Sequence, residues 1–270
     1  MIKNFVMLTF DLEEFDIAEE YGQKVSHSDQ MTVTKTGTER LIALLDNHNI
    51  RATFFTTGNY AQLNPELIKA ISLKHEIASH ALYHSSFHKF KETDILESKN
   101  ILENITGSKV TGFRMPRLKS FDHKVLSGWG FVYDSSINPT YLPGRYNLLH
   151  KSPLPYRENG LLELPCSTTP TLRFPLFWLA FKNLPIGLYA ALCRRTLRKR
   201  KNLMLYFHPW EFAEIGDFKM PGYVKSPDGI ELVDKLDKLI QNLKKQDAEF
   251  VTCQEFCETL EIAGESMKSV

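Results

Sequence analysis

The sequence predicts an α/β fold: a distorted (β/α) barrel of about seven parallel strands, formed by one domain over residues 1–270. Three observations predict it. Short apolar runs alternate with stretches of helical periodicity, the pattern of parallel β/α units. Asp11, His80, Arg114, Asp134 and His208 each stand just past the C-terminal end of a predicted strand, and β/α barrels build their chemistry on that face. No internal repeat and no linker rich in Gly, Ser or Pro interrupts the chain.

Phe5 to Phe10 is a continuous apolar run, suited to a strand buried on both faces. Leu41, Leu44 and Leu45 recur at helical spacing, which predicts a helix over Thr38–His48. Ala52 to Thr57 reads as a strand broken by Gly58, and Pro65 near a first turn starts a helix that ends at Leu73. Glu76 to Ser79 is a strand and Asp94 to Ile105 a helix. Val110 to Phe113 is a strand ending at Arg114, Lys124 to Gly128 a short helix, and Phe131 to Tyr133 a strand ending at Asp134. Leu161 to Leu164 and Leu203 to Phe207 are strands, the second ending at His208. Leu232 to Leu243 is a long helix, and Phe250-Val251 a last strand with a short helix after it.

A hydrophobic content of 43% and a charged content of 24% are those of a globular protein with a full core. The formal net charge of +1 supplies no basic excess to neutralise a phosphate backbone, so no nucleic-acid partner is expected. The four cysteines, Cys166, Cys193, Cys253 and Cys257, are few and irregularly spaced. They read as free thiols of a reducing compartment. Cys253 and Cys257 share a helix face and have no further ligand nearby. Ile2 to Phe10 lacks a small-residue cleavage site, so it reads as the first strand of a chain beginning near Met1. The expected location is cytoplasmic.

The segment His75-Glu76-Ile77-Ala78-Ser79-His80-Ala81-Leu82-Tyr83-His84 carries the most chemistry. On a helical turn His80 and His84 would share a face, so both imidazoles could reach one divalent metal. A catalytic metal takes a third protein ligand and keeps an open position. The acidic cluster Asp11-Leu12-Glu13-Glu14-Phe15-Asp16 is the source of that ligand. Two imidazoles and one carboxylate make zinc the default ion, with cobalt, nickel or iron fitting the same set.

Taken together, the motifs resemble those of the polysaccharide deacetylase family, also known as the NodB homology domain or carbohydrate esterase family 4. Thr9-Phe10-Asp11 looks like the start of its first motif, and His80-Ala81-Leu82-Tyr83-His84 like the second. Gly112-Phe113-Arg114-Met115-Pro116 looks like the third. Gly130 to Ser136 looks like the strand carrying the fourth, and Leu205 to Pro209 like the fifth. The resemblance covers about Phe5 to Val251.

It implies a metal-dependent hydrolase that removes acyl groups from sugars. In it Asp11 is the base, His208 the acid, Arg114 the partner that keeps Asp11 ionised, and Asp134 the partner of His208. His80 and His84 hold the metal. The family's usual metal-binding aspartate directly follows the base, and here that position is Leu12. Some branches read D-x-D or D-x-E. In an extended chain i and i+2 point the same way, which favours Glu13 as the third ligand over Glu14 or Asp16. Glu14, Asp16, Glu19 and Glu20 are otherwise read as solvated loop charges. His75, His88, His123 and His150 are read as structural. Trp210 and Glu211 either line the sugar cleft or pack.

The implied reaction is removal of N-acetyl groups from an N-acetylated saccharide, a polysaccharide or a lipid-linked precursor. O-acetyl ester hydrolysis, deformylation, hydrolysis of a non-sugar C–N bond and a catalytically inactive glycan-binding protein are the alternatives. An apolar and basic insertion at about 170–201 is left over. Phe174 to Cys193 is apolar but for Lys182 and Asn183, and Arg194, Arg195, Arg198, Lys199, Arg200 and Lys201 follow. One reading is a pair of helices split near Pro185 and packed on the barrel. The other is an interfacial element at 174–201, with the basic cluster against anionic head groups at the inner leaflet.

Overall fold

The first strand is the hub of the sheet. In the computed structural model, which describes residues 3–84 and 88–268 with side chains to residue 262, it runs Asn4–Leu12 (β1). Met1 and Ile2, where the expected start falls, lie outside the described residues. Thr53–Thr56 (β2), Glu76–Ser79 (β3), Gly112–Phe113 (β4) and Tyr133–Asp134 (β5) follow. A small separate hairpin comes next, Tyr141–Leu142 (β6) with Tyr146–Asn147 (β7). Tyr156–Glu158 (β8), Leu161–Glu163 (β9), Asn202–Phe207 (β10) and Ala248–Phe250 (β11) complete the strands.

The main sheet runs β10-β1-β2-β3-β4-β5-β9-β8, parallel throughout except between β8 and β9. β10 pairs with β1 over Phe5–Phe10. The opposite edge of β1 is shared: β11 takes Asn4–Val6 and β2 takes Thr9–Leu12. No ladder joins β8 to β10 among the described residues, so the sheet curls into a half-barrel.

Side-chain alternation along β1 divides the interior. Val6, Leu8, Phe10 and Leu12 enter the larger core, where the sheet meets the surrounding helices. Met7 enters a second core with Phe55, Tyr133, Met204, Phe256 and Cys257. Thr9, Asp11 and Glu13 share the parity of Met7. Leu12, at 0% exposure, is therefore a core residue by strand geometry, and Asp11 and Glu13 both face the concave side.

Ten α-helices are described: His27–His48 (α1), Gly58–Leu63 (α2), Pro65–Ser72 (α3), Thr93–Thr106 (α4), His123–Gly128 (α5), Trp178–Asn183 (α6), Ile186–Arg200 (α7), Gly222–Lys225 (α8), Gly229–Lys244 (α9) and Cys253–Lys268 (α10). α1 begins well before the expected Thr38. Ser26 caps it by accepting from the Asp29 N–H at 3.0 Å, and its first turns are polar because they are largely exposed. Gly58 opens a helix rather than only ending a strand, since the Thr57 side chain accepts from Tyr60 N–H. α10 is long, not short. The four cysteines are free and buried.

The apolar insertion folds as α6 and α7, separated at Leu184-Pro185, with Phe181, Tyr189, Cys193 and Leu197 buried. No helix among the described residues is long and apolar enough to cross a membrane.

Candidate active site

Asp11, Glu13, His80, His84 and His208 line one cavity of about 260 Å³ at the C-terminal ends of β1, β3 and β10. Arg114 lies fully buried behind Asp11. Its Nη1 donates to Asp11 Oδ1 at 2.6 Å and to Thr9 Oγ1 at 2.9 Å. Its Nη2 donates to Ser135 Oγ at 2.9 Å, and its Nε to the Ser135 carbonyl at 3.0 Å. The guanidinium lies 4.0 Å over the Phe55 ring. The cation is thus held on every side, with one arm aimed at the carboxylate.

Glu13, His80 and His84 converge. Glu13 Oε2 lies 3.3 Å from His80 Nε2 and 3.4 Å from His84 Nε2. The other ring nitrogens are occupied. His80 Nδ1–H donates to the Arg114 carbonyl at 2.7 Å, and His84 Nδ1–H to Asp16 Oδ1 at 3.1 Å. That leaves both Nε2 atoms for a metal, the usual way a second partner orients a ligating imidazole. Glu13 Oε2 and His80 Nε2 are buried and have no hydrogen-bond partner among the described residues. A divalent cation would satisfy both, so the residues fit the ion that the donor set calls for. Glu14 turns away to Thr57 and Asn59, and burial raises its carboxyl despite those donors.

The two imidazoles meet in a way the spacing did not foretell. Residues 80–84 form a loop, not a helical turn. Ala81 holds φ +57°, in the left-handed region that non-glycine residues seldom occupy. The loop is tied down by N–H groups at the start of α2, Gly58 to the Ala81 carbonyl at 2.9 Å and Asn59 to the Leu82 carbonyl at 3.0 Å. The rings lie near parallel, 6.0 Å apart.

His208 faces the carboxylates, its Nε2 3.9 Å from Asp11 Oδ2 and 4.0 Å from Glu13 Oε1. Its partner is a correction to the sequence reading. Asp134 contacts His123 and Ser136, because side chains alternate at the end of β5: Ser135 turns toward Arg114 and Asp134 to the other side. His208 Nδ1–H instead donates to Glu211 Oε1 at 3.0 Å, and the same oxygen accepts the His208 backbone N–H at 2.7 Å. Glu211 is fully buried, and Lys182 Nζ of α6 stands 4.0 Å from its other oxygen. The signal was in the sequence, in the Phe-His-Pro-Trp-Glu run. Trp210 stacks on His208 at 4.9 Å, and its Nε1–H donates to Glu13 Oε1 at 3.2 Å. It lines the cavity and is itself buried at 1% exposure. Asp16, read as solvated, is buried against His84.

The electrostatics follow from this packing. Burial would raise the Glu13 carboxyl, but His84, His80 and His208 outweigh it and hold it down to about 2. Burial would lower His84, yet Glu13 and Asp16 push it up to about 9. Burial also opposes the charged form of His208; Glu211, Glu13 and Asp11 prevail and raise it.

Comparison with known proteins places these features. Residues 2–128 match the family described as Polysaccharide deacetylase, and residues 135–258 match a domain of unknown function, DUF3473. A peptidoglycan deacetylase from Helicobacter pylori is 27% identical over 110 residues, 38% of this chain and 38% of that protein. An uncharacterized 30.6 kDa protein from Geobacillus stearothermophilus is 26% identical over 145 residues, 42% of this chain and 54% of that protein. The chain thus spans about half or less of the curated relatives it matches. A putative polysaccharide deacetylase from Mycobacterium smegmatis has the same fold, with a TM-score of 0.68 at 23% identity, over 98% of this chain and 92% of that one.

Proposed function

From the premise that this chain belongs to the polysaccharide deacetylase family through residues 2–128, we propose that it is a metal-dependent hydrolase removing N-acetyl groups from an N-acetylated saccharide. One observation carries the reading. A carboxylate backed by a buried arginine, an imidazole backed by a buried carboxylate, and a Glu-His-His ligand set face one cavity.

Glu13, His80 and His84 would hold the ion, zinc by the nature of the donors. When bound, it would polarise the acyl carbonyl and make water more acidic. Asp11 takes the water proton, as a general base must stand beside the nucleophile. Arg114 compensates the charge of Asp11 and fixes its direction. His208 delivers a proton to the departing amine, and Glu211 keeps its ring turned for that transfer. Aromatic side chains, Tyr146, Phe177, Trp178 and Tyr206 among them, line the cavity walls, where sugar faces pack well.

The saccharide is proposed to be lipid-linked and presented at the cytoplasmic leaflet. An apolar groove of about 280 Å³ is lined by Leu172, Phe174, Leu184, Leu188, Leu192 and Arg195. Leu172 is 86% exposed. Leu188, Leu192, Arg195 and Lys199 form one stripe along α7, apolar at its start and basic at its end. Among the described residues Arg195, Arg198 and Lys199 form no ion pair, so an anionic membrane surface matches both halves of the stripe.

The test is deacylation by the zinc-loaded protein of N-acetylated oligosaccharides, O-acetyl esters, N-formyl sugars and small cyclic amides. Turnover of the first class, abolished in Asp11→Asn, is expected. Turnover confined to another class would reassign the substrate. Glycan binding without turnover by metal-loaded protein would favour the binding-protein reading. Co-sedimentation with vesicles of neutral and anionic lipid tests the leaflet contact; no binding to either removes it.

A further inference from the structure

Three side chains outside the cleft repeat the spacing of the candidate metal centre. His123 opens α5, Asp134 ends β5 and Glu163 ends β9, and Asp134 and Glu163 are register partners on parallel strands. His123 Nε2 lies 3.3 Å from Asp134 Oδ2 and 3.3 Å from Glu163 Oε2. The corresponding distances around Glu13 are 3.3 Å and 3.4 Å. A tetrahedral cation about 2.0–2.1 Å from its nitrogen and oxygen ligands sets them roughly 3.3–3.4 Å apart. All three atoms of the cluster fall within 4.8 Å of one another.

The hydrogen bonding is incomplete as it stands. His123 Nε2 carries at most one N–H. It goes to Asp134 Oδ2, and Glu163 Oε2, in a side chain at 0% exposure, is left without a hydrogen-bond partner among the described residues. The far oxygens are already tied. Ser136 Oγ–H donates to Asp134 Oδ1 at 2.5 Å, and Ile137 N–H donates to Glu163 Oε1 at 3.1 Å. These bonds leave Oδ2 and Oε2 turned toward the same nitrogen. On the far side of the ring His123 Nδ1 lies 3.4 Å from Glu158 Oε2 without a hydrogen bond between them. Tyr156 is the register partner of Glu163 across the β8–β9 ladder, and its buried hydroxyl also lacks a hydrogen-bond partner among the described residues.

We propose that His123, Asp134 and Glu163 form a second, structural site for a first-row divalent cation such as zinc. None of the three lines the cavity of the candidate active site. Their exposures of 7%, 1% and 0% exclude a substrate-sized molecule. The ion would tie α5 to β5 and β9, across the boundary between residues 128 and 135 where the two family matches meet.

The experiment separates this site from the first by removing the first. Glu13→Ala protein is reconstituted with zinc alone, desalted, and its metal content measured. About one ion per chain is expected, against two in wild type and none in Glu13→Ala/Glu163→Gln. Chelation should lower the melting temperature of Glu13→Ala. The near-isosteric Asp134→Asn in the same background should lose the ion too, with circular dichroism confirming that each variant is folded. No ion in folded Glu13→Ala, or one retained in both double variants, overturns the proposal. Failure of the active-site reading looks different: Glu13→Ala would hold as many ions as wild type.

Discussion

Arg114 donates to Asp11 at 2.6 Å from a site with no solvent exposure, so the pair is a buried salt bridge whose members cannot be removed independently. Breaking such a pair from one side leaves an uncompensated buried charge, at a cost of about 3–5 kcal/mol. Arg114→Met is expected to destabilise the fold by that order, read as a lower midpoint in denaturant, and to lose activity with it. Asp11→Asn leaves Arg114 as the uncompensated buried charge and carries a stability cost of the same order; measured where it remains folded, it should lower kcat by roughly 10²–10⁴, the usual contribution of a general base, while zinc content stays at the wild-type level. Loss of zinc in Asp11→Asn would move Asp11 from base to ligand.

Asp16 tests whether the buried loop charge serves the metal centre. Its carboxylate accepts from His84 Nδ1 at 3.1 Å, and substitution of such an orienting partner typically weakens metal binding about 10–100-fold. Asp16→Asn should therefore bind zinc more weakly by that factor in competition with a chelator. Glu14→Gln, whose contacts run to Thr57 and Asn59, should leave zinc affinity unchanged. An equal loss in Glu14→Gln would show that Glu14 supports the metal centre as Asp16 does.

The His208–Glu211 contact fixes the sign of a pH effect. Burial lowers the His208 pKa, and Glu211, the largest opposing influence, raises it. In Glu211→Gln that support is gone and the pKa falls. A proton donor must be protonated to act, so the loss of activity toward alkaline pH should begin at lower pH than in wild type. An unmoved alkaline limb of the kcat profile would take His208 out of the acid role.

Much of this was legible in one dimension because strands carry a period of two. Asp11 and Glu13 share a face and Leu12 does not, a relation written in the order of the residues. The strand ends likewise announced His80, Arg114 and His208. The same rule, applied one residue further, separates Asp134 from Ser135 and sends Asp134 to His123. What strand periodicity could not supply was loop geometry. The His80–His84 loop depends on a left-handed Ala81 and on N–H groups from α2, neither of which spacing encodes. Glu211 and Asp16 were visible as residue types, but their partners were set by burial. Lys182, read as an interruption of an apolar segment, is buried beside Glu211 and joins the insertion to the site. The start of α1 was missed because its exposed turns carry no apolar stripe.

Gly37 yields the last prediction, in which one substitution has opposite signs at two positions. Glycine inside a helix is ordinarily less favourable than alanine by about 1 kcal/mol. At Gly37 of α1 an added Cβ would lie 1.8 Å from the Pro209 carbonyl oxygen and 2.8 Å from its carbon. Those atoms are backbone, directly after His208, and have no rotamer by which to yield. Gly37→Ala must therefore push α1 or the Pro209 segment aside, at the roughly 1–3 kcal/mol of an overpacked core. Any shift of Pro209 also moves His208 relative to Asp11. At Gly187 of α7 nothing lies within 4 Å of the same Cβ, so the helix preference acts unopposed. Gly187→Ala should raise the midpoint in denaturant, by up to about 1 kcal/mol, and leave kcat alone. Gly37→Ala should lower both stability and kcat. A neutral Gly37→Ala would mean that the contact between α1 and the segment carrying His208 is loose, and that the proton donor is positioned by Glu211 and Trp210 alone.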